Sequence, residues 1–289
     1  MNTAIDLDAA ERFLAGTGRV LDQRRFELLR RGGDATAVRD AVAAYRNQDG
    51  GFGHAIEPDC RCPASQPAAV GMALRILDEA AAWDEQLVRD ACDWLEQNAA
   101  TGGGATFVEA GVEDWPHAPW WVPEEGRPAS LIQTGLIAGT LHARAVAHPW
   151  LDRATEVMWT RIGQLADPGA YDMLGVLNFL DNVPDRERAR TAFDHAGPLL
   201  LDCKLVELDP EAEGEVHGPL DFAPRPDSLA RQLFDDATID AHLEHLARDQ
   251  QADGGWTFNW FAWSPAATAD WRGFMTVDAV SVLQANGRL

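Results

Sequence analysis

No stretch of this 289-residue chain approaches the roughly 20 consecutive apolar residues that a membrane-spanning helix needs. Basic residues are scarce: 24 Lys and Arg stand against 46 Asp and Glu, a net charge of −22. Such a field repels phosphate backbones and anionic lipids, which argues against nucleic-acid and membrane-surface partners. Cysteine is also sparse, with four in the whole chain, so no disulfide framework is implied. The first residues, MNTAIDLDAAERFLAG, carry acids early and lack the basic-then-apolar start of a secretory signal. A soluble cytoplasmic protein with reduced thiols is the expectation. There is no P-loop to cradle phosphate and no Gly-x-Ser-x-Gly nucleophile elbow. Few segments alternate with period two.

What is present is helical periodicity over a hydrophobic content of 46%, enough for a buried core. AERFLAGTGRVLDQRRFELLRR places Phe13, Leu14, Val20, Leu21, Phe26, Leu28 and Leu29 on broad helical faces. ASQPAAVGMALRILDEAAAW follows with Pro67 suited to a first turn. Similar segments continue to the C-terminus, predicting an all-α chain of about ten to twelve helices. No Ser/Gly/Pro linker divides it, so residues 1–289 read as a single domain. The longest irregular run is ELDPEAEGEVHGPLDFAPRPDS.

Two short stretches resemble each other. Gln48-Asp49-Gly50-Gly51-Phe52 aligns with Gln251-Ala252-Asp253-Gly254-Gly255-Trp256 when one residue is inserted. A weaker copy, QNAATGGGATF, spans Gln97 to Phe107. Each lies between helical segments, as a sharp turn would: glycine admits positive φ, aspartate bonds turn amides, and the aromatic ring plugs the gap. Recurrence at helix ends predicts stacked helical hairpins. A glutamine followed by Gly-Gly-aromatic between helices resembles the repeat of the squalene–hopene cyclases and protein prenyltransferase β-subunits. That resemblance implies an α/α toroid, with inner helices around a central cavity and outer helices surrounding them.

Loops after these turns concentrate chemistry. His54, Glu57 and Asp59 precede a helix expected at Ser65. EDWPHAPWWVPEEG brings Trp115, His117, Trp120 and Trp121 ahead of a helix at Ser130. Trp260, Trp263, Asp270, Trp271 and Arg272 precede a helix expected at Thr276. Helix alternation around a ring would open all three loops on one end, giving an aromatic mouth able to bind a hydrophobic substrate, a cation or a sugar. The candidate catalytic residues are Glu57, Asp59, His54 and Asp221, and the tryptophans named, with His117 and Arg272, are the candidate substrate contacts.

Neither metal nor cofactor is expected. Cys60 and Cys62 form a lone Cys-x-Cys pair, and two residues separate Asp59 from Cys62 where the Asp-x-Cys zinc element of protein prenyltransferases has one. Asp235, Asp236 and Asp240 in LFDDATID suit the N-terminus of a helix over 238–250. The Asp-x-Asp-Asp acid of the proton-initiated cyclases is absent. The resemblance implies an isoprenoid cyclase or transferase driven by acid-initiated carbocation chemistry. A glycan-active α/α-barrel enzyme and a non-catalytic binding or scaffold protein are the alternatives.

Overall fold

The computed structural model describes residues 5–289, whose regular structure is helical, with long loops between some of the helices. In chain order the helices are α1 (Leu7–Thr17), α2 (Val20–Arg31), α3 (Ala35–Ala43), α4 (Pro67–Glu79), α5 (Glu85–Gln97), α6 (Leu131–Ala143) and α7 (Pro149–Gly163). They continue as α8 (Ala170–Asn182), α9 (Arg186–Ala196), the short α10 (Leu199–Asp202) and α11 (Pro219–Phe222), α12 (Asp236–Arg248) and α13 (Pro265–Ala285). Among the described residues no strand forms; two isolated bridges join Arg46 to Phe52 and Cys60 to His117.

The helix starts follow from local chemistry. Ser130 caps α6 by accepting from the Gln133 amide, and Pro67 opens α4, where a missing N–H costs nothing. Asp235 accepts from the Thr238 amide, so α12 begins at Asp236, two residues before the expected start. The larger correction is α13. Its first turn is set by Ser264 as cap and Pro265 at the first position, well ahead of the expected Thr276. Asp270, Trp271 and Arg272 therefore stand on a helix and not in a loop. Gly273, which reads as a helix breaker, is there for space: a Cβ would sit 3.1 Å from Asp22 Oδ2.

The chain forms two compact units. One joins the N-terminal residues through Val38 to Lys204–Leu289; the other is Arg39–Cys203. In the second unit, α4, α6 and α8 pack side by side, and so do α5, α7 and α9. This is the alternation of two helical rows from which α/α folds are built. At the centre α6 and α8 touch backbone to backbone, since a Cβ on Gly135 would meet the Gly175 carbonyl oxygen at 2.2 Å. In the first unit α13 packs on α1, α2 and α12, around a core of Phe13, Leu14, Phe26, Leu243, Trp256, Val277 and Leu283.

All three glycine turns are closed by the same pair of backbone hydrogen bonds. Asn47 N donates to Gly51 O and Gly50 N to Asn47 O. Ala100 with Gly104 and Gly103, and Gln251 with Gly255 and Gly254, repeat the pattern. This register aligns Asn47 with Gln251 and Asp49 with Asp253, so the insertion assumed from sequence is not needed. It also puts Ala105, and not Phe107, where the other copies carry Phe52 and Trp256. The aspartates act alike: Asp49 Oδ1 accepts from Gly51 N at 3.0 Å and Asp253 Oδ1 from Gly255 N at 3.1 Å. Gly50 and Gly254 have φ of 91° and 95°, a conformation that side chains with a Cβ rarely adopt.

Candidate functional site

The loop after the first turn is knitted to the Trp115–Trp121 loop within the second unit. Arg61 N donates to Pro116 O at 2.9 Å and Ala118 N to Asp59 O at 2.8 Å. His117 lies across the Cys60 bridge, and its Nδ1 donates to Trp115 O at 2.6 Å. The structure thus brings His54, Glu57, Asp59 and His117 into one region with Trp115, Trp120 and Trp121. Their surroundings differ sharply. Trp121 is buried against Phe107, with ring centroids 6.0 Å apart, whereas Trp115 and Trp120 are 47% and 40% exposed.

Glu57 and Asp59 are buried, and Glu57 Oε2 accepts from the Asp59 amide at 2.9 Å. His54 Nε2 reaches Asn47 Oδ1 at 2.9 Å, and His54 and Ala55 both hold left-handed backbone, with φ of 55° and 63°. The cleft between Glu57, Cys60, Cys62, Gln66 and Trp121 is too tight for a water molecule. Burial pushes the Cys60 thiol up to about 12 and raises Cys62, so neither is a thiolate at neutral pH. Among the described residues no three His, Cys, Asp or Glu side chains gather as a metal-binding set.

The first unit holds a different arrangement. Trp260 lies tilted against Phe258 with ring centroids 4.6 Å apart and meets Trp271 edge-on at 5.1 Å; Trp271 meets Phe274 at 5.7 Å. Trp271, Phe274 and Asp278 share one stripe of α13, three and four residues apart. Asn259 Nδ2, next to Trp260, donates to Val216 O at 2.7 Å and ties the aromatic loop to the segment carrying His217 and Asp221. His217 Nδ1 lies 3.9 Å from Asp221 Oδ2, which accepts from Gly218 N at 2.7 Å. Trp263, half-buried, stands in the same loop one residue before the α13 cap.

Half of the Asp221 side chain is open to solvent. Desolvation nevertheless pushes its pKa above the ordinary carboxylate value, with the charge of Asp278 adding to the rise and His217 and His242 opposing it. Around it are groups that sequence reading missed. Asp278 lies 3.7 Å from Arg25, whose guanidinium sits 4.6 Å above the Phe274 ring and 3.6 Å from Asp22. Asp22 is wholly buried and paired with Arg19 at 2.8 Å. Charged residues on faces that otherwise read as apolar are the one sequence signal that could have found them.

Arg272 does other work. Both its terminal nitrogens donate to Asp253 at 2.8 Å, its Nε donates to Trp256 O at 3.2 Å, and its guanidinium covers the Phe13 ring at 4.5 Å. It locks the second glycine turn to α13.

No family model and no curated protein matches the chain. Among solved structures, a crystal structure of a protein from Actinoplanes is similar over 97% of this chain and 89% of that one, with a TM-score of 0.56 and 16% identity. The likeness is one of fold.

Proposed function

We propose that the chain is an enzyme of the terpene-cyclase or prenyltransferase-like kind, acting on a hydrophobic isoprenoid-type substrate by acid-initiated carbocation chemistry in the first unit. The observation that carries this reading is Asp221: an open carboxyl whose pKa desolvation, and to a lesser extent Asp278, raises above the ordinary value, in a segment tied through Asn259 to an aromatic cluster. Chemistry of this kind needs a group that is still an acid near neutral pH and ring faces that stabilise the positive charge it creates. Asp221, with its pKa raised above the ordinary value, is the group assigned the first role; Trp260, Trp271 and Phe274 are assigned the second. In the step, the Asp221 Oδ–H bond breaks, its proton adds to one carbon of a substrate double bond, and the neighbouring carbon becomes cationic. The four free cysteines suit a reducing, cytoplasmic setting.

The test is turnover of candidate isoprenoid diphosphates and polyene hydrocarbons by the full chain. Asp221→Asn removes the acid, and turnover should fall by about 10²–10⁴-fold. Its melting temperature should hold or rise. The unfolded carboxyl ionises near its ordinary 3.8 and the folded one only at higher pH, so stability is lost as pH climbs through that interval. The amide carries no such loss. A wild-type chain that turns over none of these substrates, or an Asp221→Asn variant that keeps wild-type turnover, overturns the proposal.

A further inference from the structure

We propose that the loop bearing Trp115 and Trp120, in the second unit, is a docking surface for a basic, arginine-bearing segment of a partner protein. The inference goes beyond the reaction proposed for the first unit and does not depend on it.

Both indoles stand in solvent although their loop is bonded along its length. Trp115 N donates to Val112 O at 3.0 Å, Trp121 N to Ala118 O at 2.9 Å, and Val122 N to Trp120 O at 3.0 Å. Two further bonds tie Pro116 to Arg61 and Ala118 to Asp59, so the backbone is fixed between the two exposed rings. Trp121, buried on Phe107, shows that the loop offers an inward seat for one tryptophan. Trp115 and Trp120 do not take it, and Val122, also exposed, extends the apolar surface beside Trp120. Large rings left in water on a well-bonded loop mark a surface that a partner covers.

Charge selects the occupant. Residues 111–126 carry Glu113, Asp114, Glu124 and Glu125, all exposed, and no Lys or Arg. Glu113 gives one oxygen to Gly111 N at 2.9 Å. Arg127, which follows, is committed to Glu109, with Nη2 donating to Oε1 at 2.8 Å, and Nη2 of Arg61 is buried. The loop thus presents two ring faces flanked in sequence by two pairs of carboxylates. A guanidinium stacks on an indole and offers a fork of donors to a carboxylate, so it matches both features at once. A neutral sugar would use the rings and leave the charges unmatched, and a phosphate backbone would be repelled by them. The cleft beside Trp121 admits no water and has no room for a small ligand, whereas an extended segment meets the indoles and the acids from outside.

The test is fluorescence anisotropy of a labelled peptide of alternating arginine and glycine, titrated with the full chain at low and at physiological salt. The wild type should bind it more tightly than the lysine counterpart and should not bind the citrulline counterpart, which keeps the shape without the charge. An acidic chain attracts any polycation, so the decisive variants leave the net charge alone. Trp115→Ala and Trp120→Ala, with melting temperature unchanged, should each weaken binding by about tenfold. Glu124→Gln combined with Glu125→Gln should weaken binding and flatten its salt dependence. Glu213→Gln combined with Glu215→Gln removes the same charge from exposed positions of the other unit and should leave binding near wild type. Unchanged affinity in either tryptophan variant, or equal losses from the two glutamate pairs, means diffuse attraction to an acidic surface and overturns the inference. So does a wild type that binds no arginine peptide, or that binds the citrulline peptide or a neutral oligosaccharide as tightly. Should Trp120→Ala fail to fold, Trp115→Ala decides alone. None of these outcomes bears on turnover at Asp221.

Discussion

Glu57 in the second unit turns its carboxylate back onto its own loop, where it accepts from the Asp59 amide beside a cleft that admits no water. Asp221 in the first unit, at half exposure, faces solvent with Asp278 and His217 beside it. Both sets of acids follow a turn or irregular segment and both lie near tryptophans. Depth of burial alone would rank Glu57 and Asp59 first, yet Glu57 bonds a turn amide beside a cleft that admits no water. What separates the two is whether a carboxyl keeps an accessible oxygen while desolvation raises its pKa.

The sharpest way to probe how far the units share their construction is the glycine turn. Gly254→Val places a Cβ 2.3 Å from Ala9 O at a φ of 95°, and Gly50→Val places one 2.6 Å from Asp90 O at 91°. Each should cost about 3 kcal/mol or more in urea unfolding, if it folds at all. Equal losses would mean the turns are energetically as well as geometrically equivalent. Gly102→Ala, at a φ of 86° but with open space around it, should cost only about 1 kcal/mol.

Glu57→Ala tests the contrast between the acids. It removes an acceptor from a buried amide and should destabilise by about 1–3 kcal/mol, leaving the Asp221 titration unchanged. A shifted Asp221 midpoint in that variant would break the comparison. Arg272→Met should have a smaller effect, about 0.5–1 kcal/mol, because its partner Asp253 is half exposed. The Arg272 hydrogen bonds hold the Asp253 pKa below its ordinary 3.8. Their contribution is therefore present above that value and lost as pH falls through the depressed folded pKa. Denaturation at pH 7 and pH 2.5 should show the difference between wild type and variant shrinking at the lower pH. Least disruptive is thiol labelling of the native chain at pH 8. Cys203, partly exposed, should react, while Cys60 and Cys92, both pushed up to about 12 by burial, should react only as fast as the protein opens.

Helical content and the turn motif were legible in the sequence because both rest on local rules: apolar spacing, capping residues and glycine pairs. The register of the turns was legible only to within one residue. Hydrogen bonds, and not residue identity, make Asn47 the counterpart of Gln251. The start of α13 was missed because Gly273 and the polar run before it imitate a loop; the reason for that glycine lies on α2, some 250 residues away in the chain. Asp221 stood among the candidates without any local mark to raise it above Glu57 or Asp59. The groups that act on its pKa include His242 and Asp278, which come from other helices, and no spacing rule links them to it. The tryptophans were found as a group, but the helix of Trp271, the burial of Trp121 and the exposure of Trp115 depend on tertiary contacts.

Because the first unit takes its helices from both ends of the chain, it cannot assemble while the ribosome is still at work on the middle. Helices α1 and α2 emerge first, and α12 and α13, which complete their core, emerge last. At about 5–20 residues per second, the early helices wait on the order of ten to fifty seconds with Phe13, Leu14 and Phe26 uncovered. The second unit is contiguous and has all its helices in hand long before. Arg19, Asp22 and Arg25 belong to the early segment, so their ion-pair row with Asp278 closes only once α13 has been made. A chain truncated before α13 would carry its first two helices without the partner that completes their core.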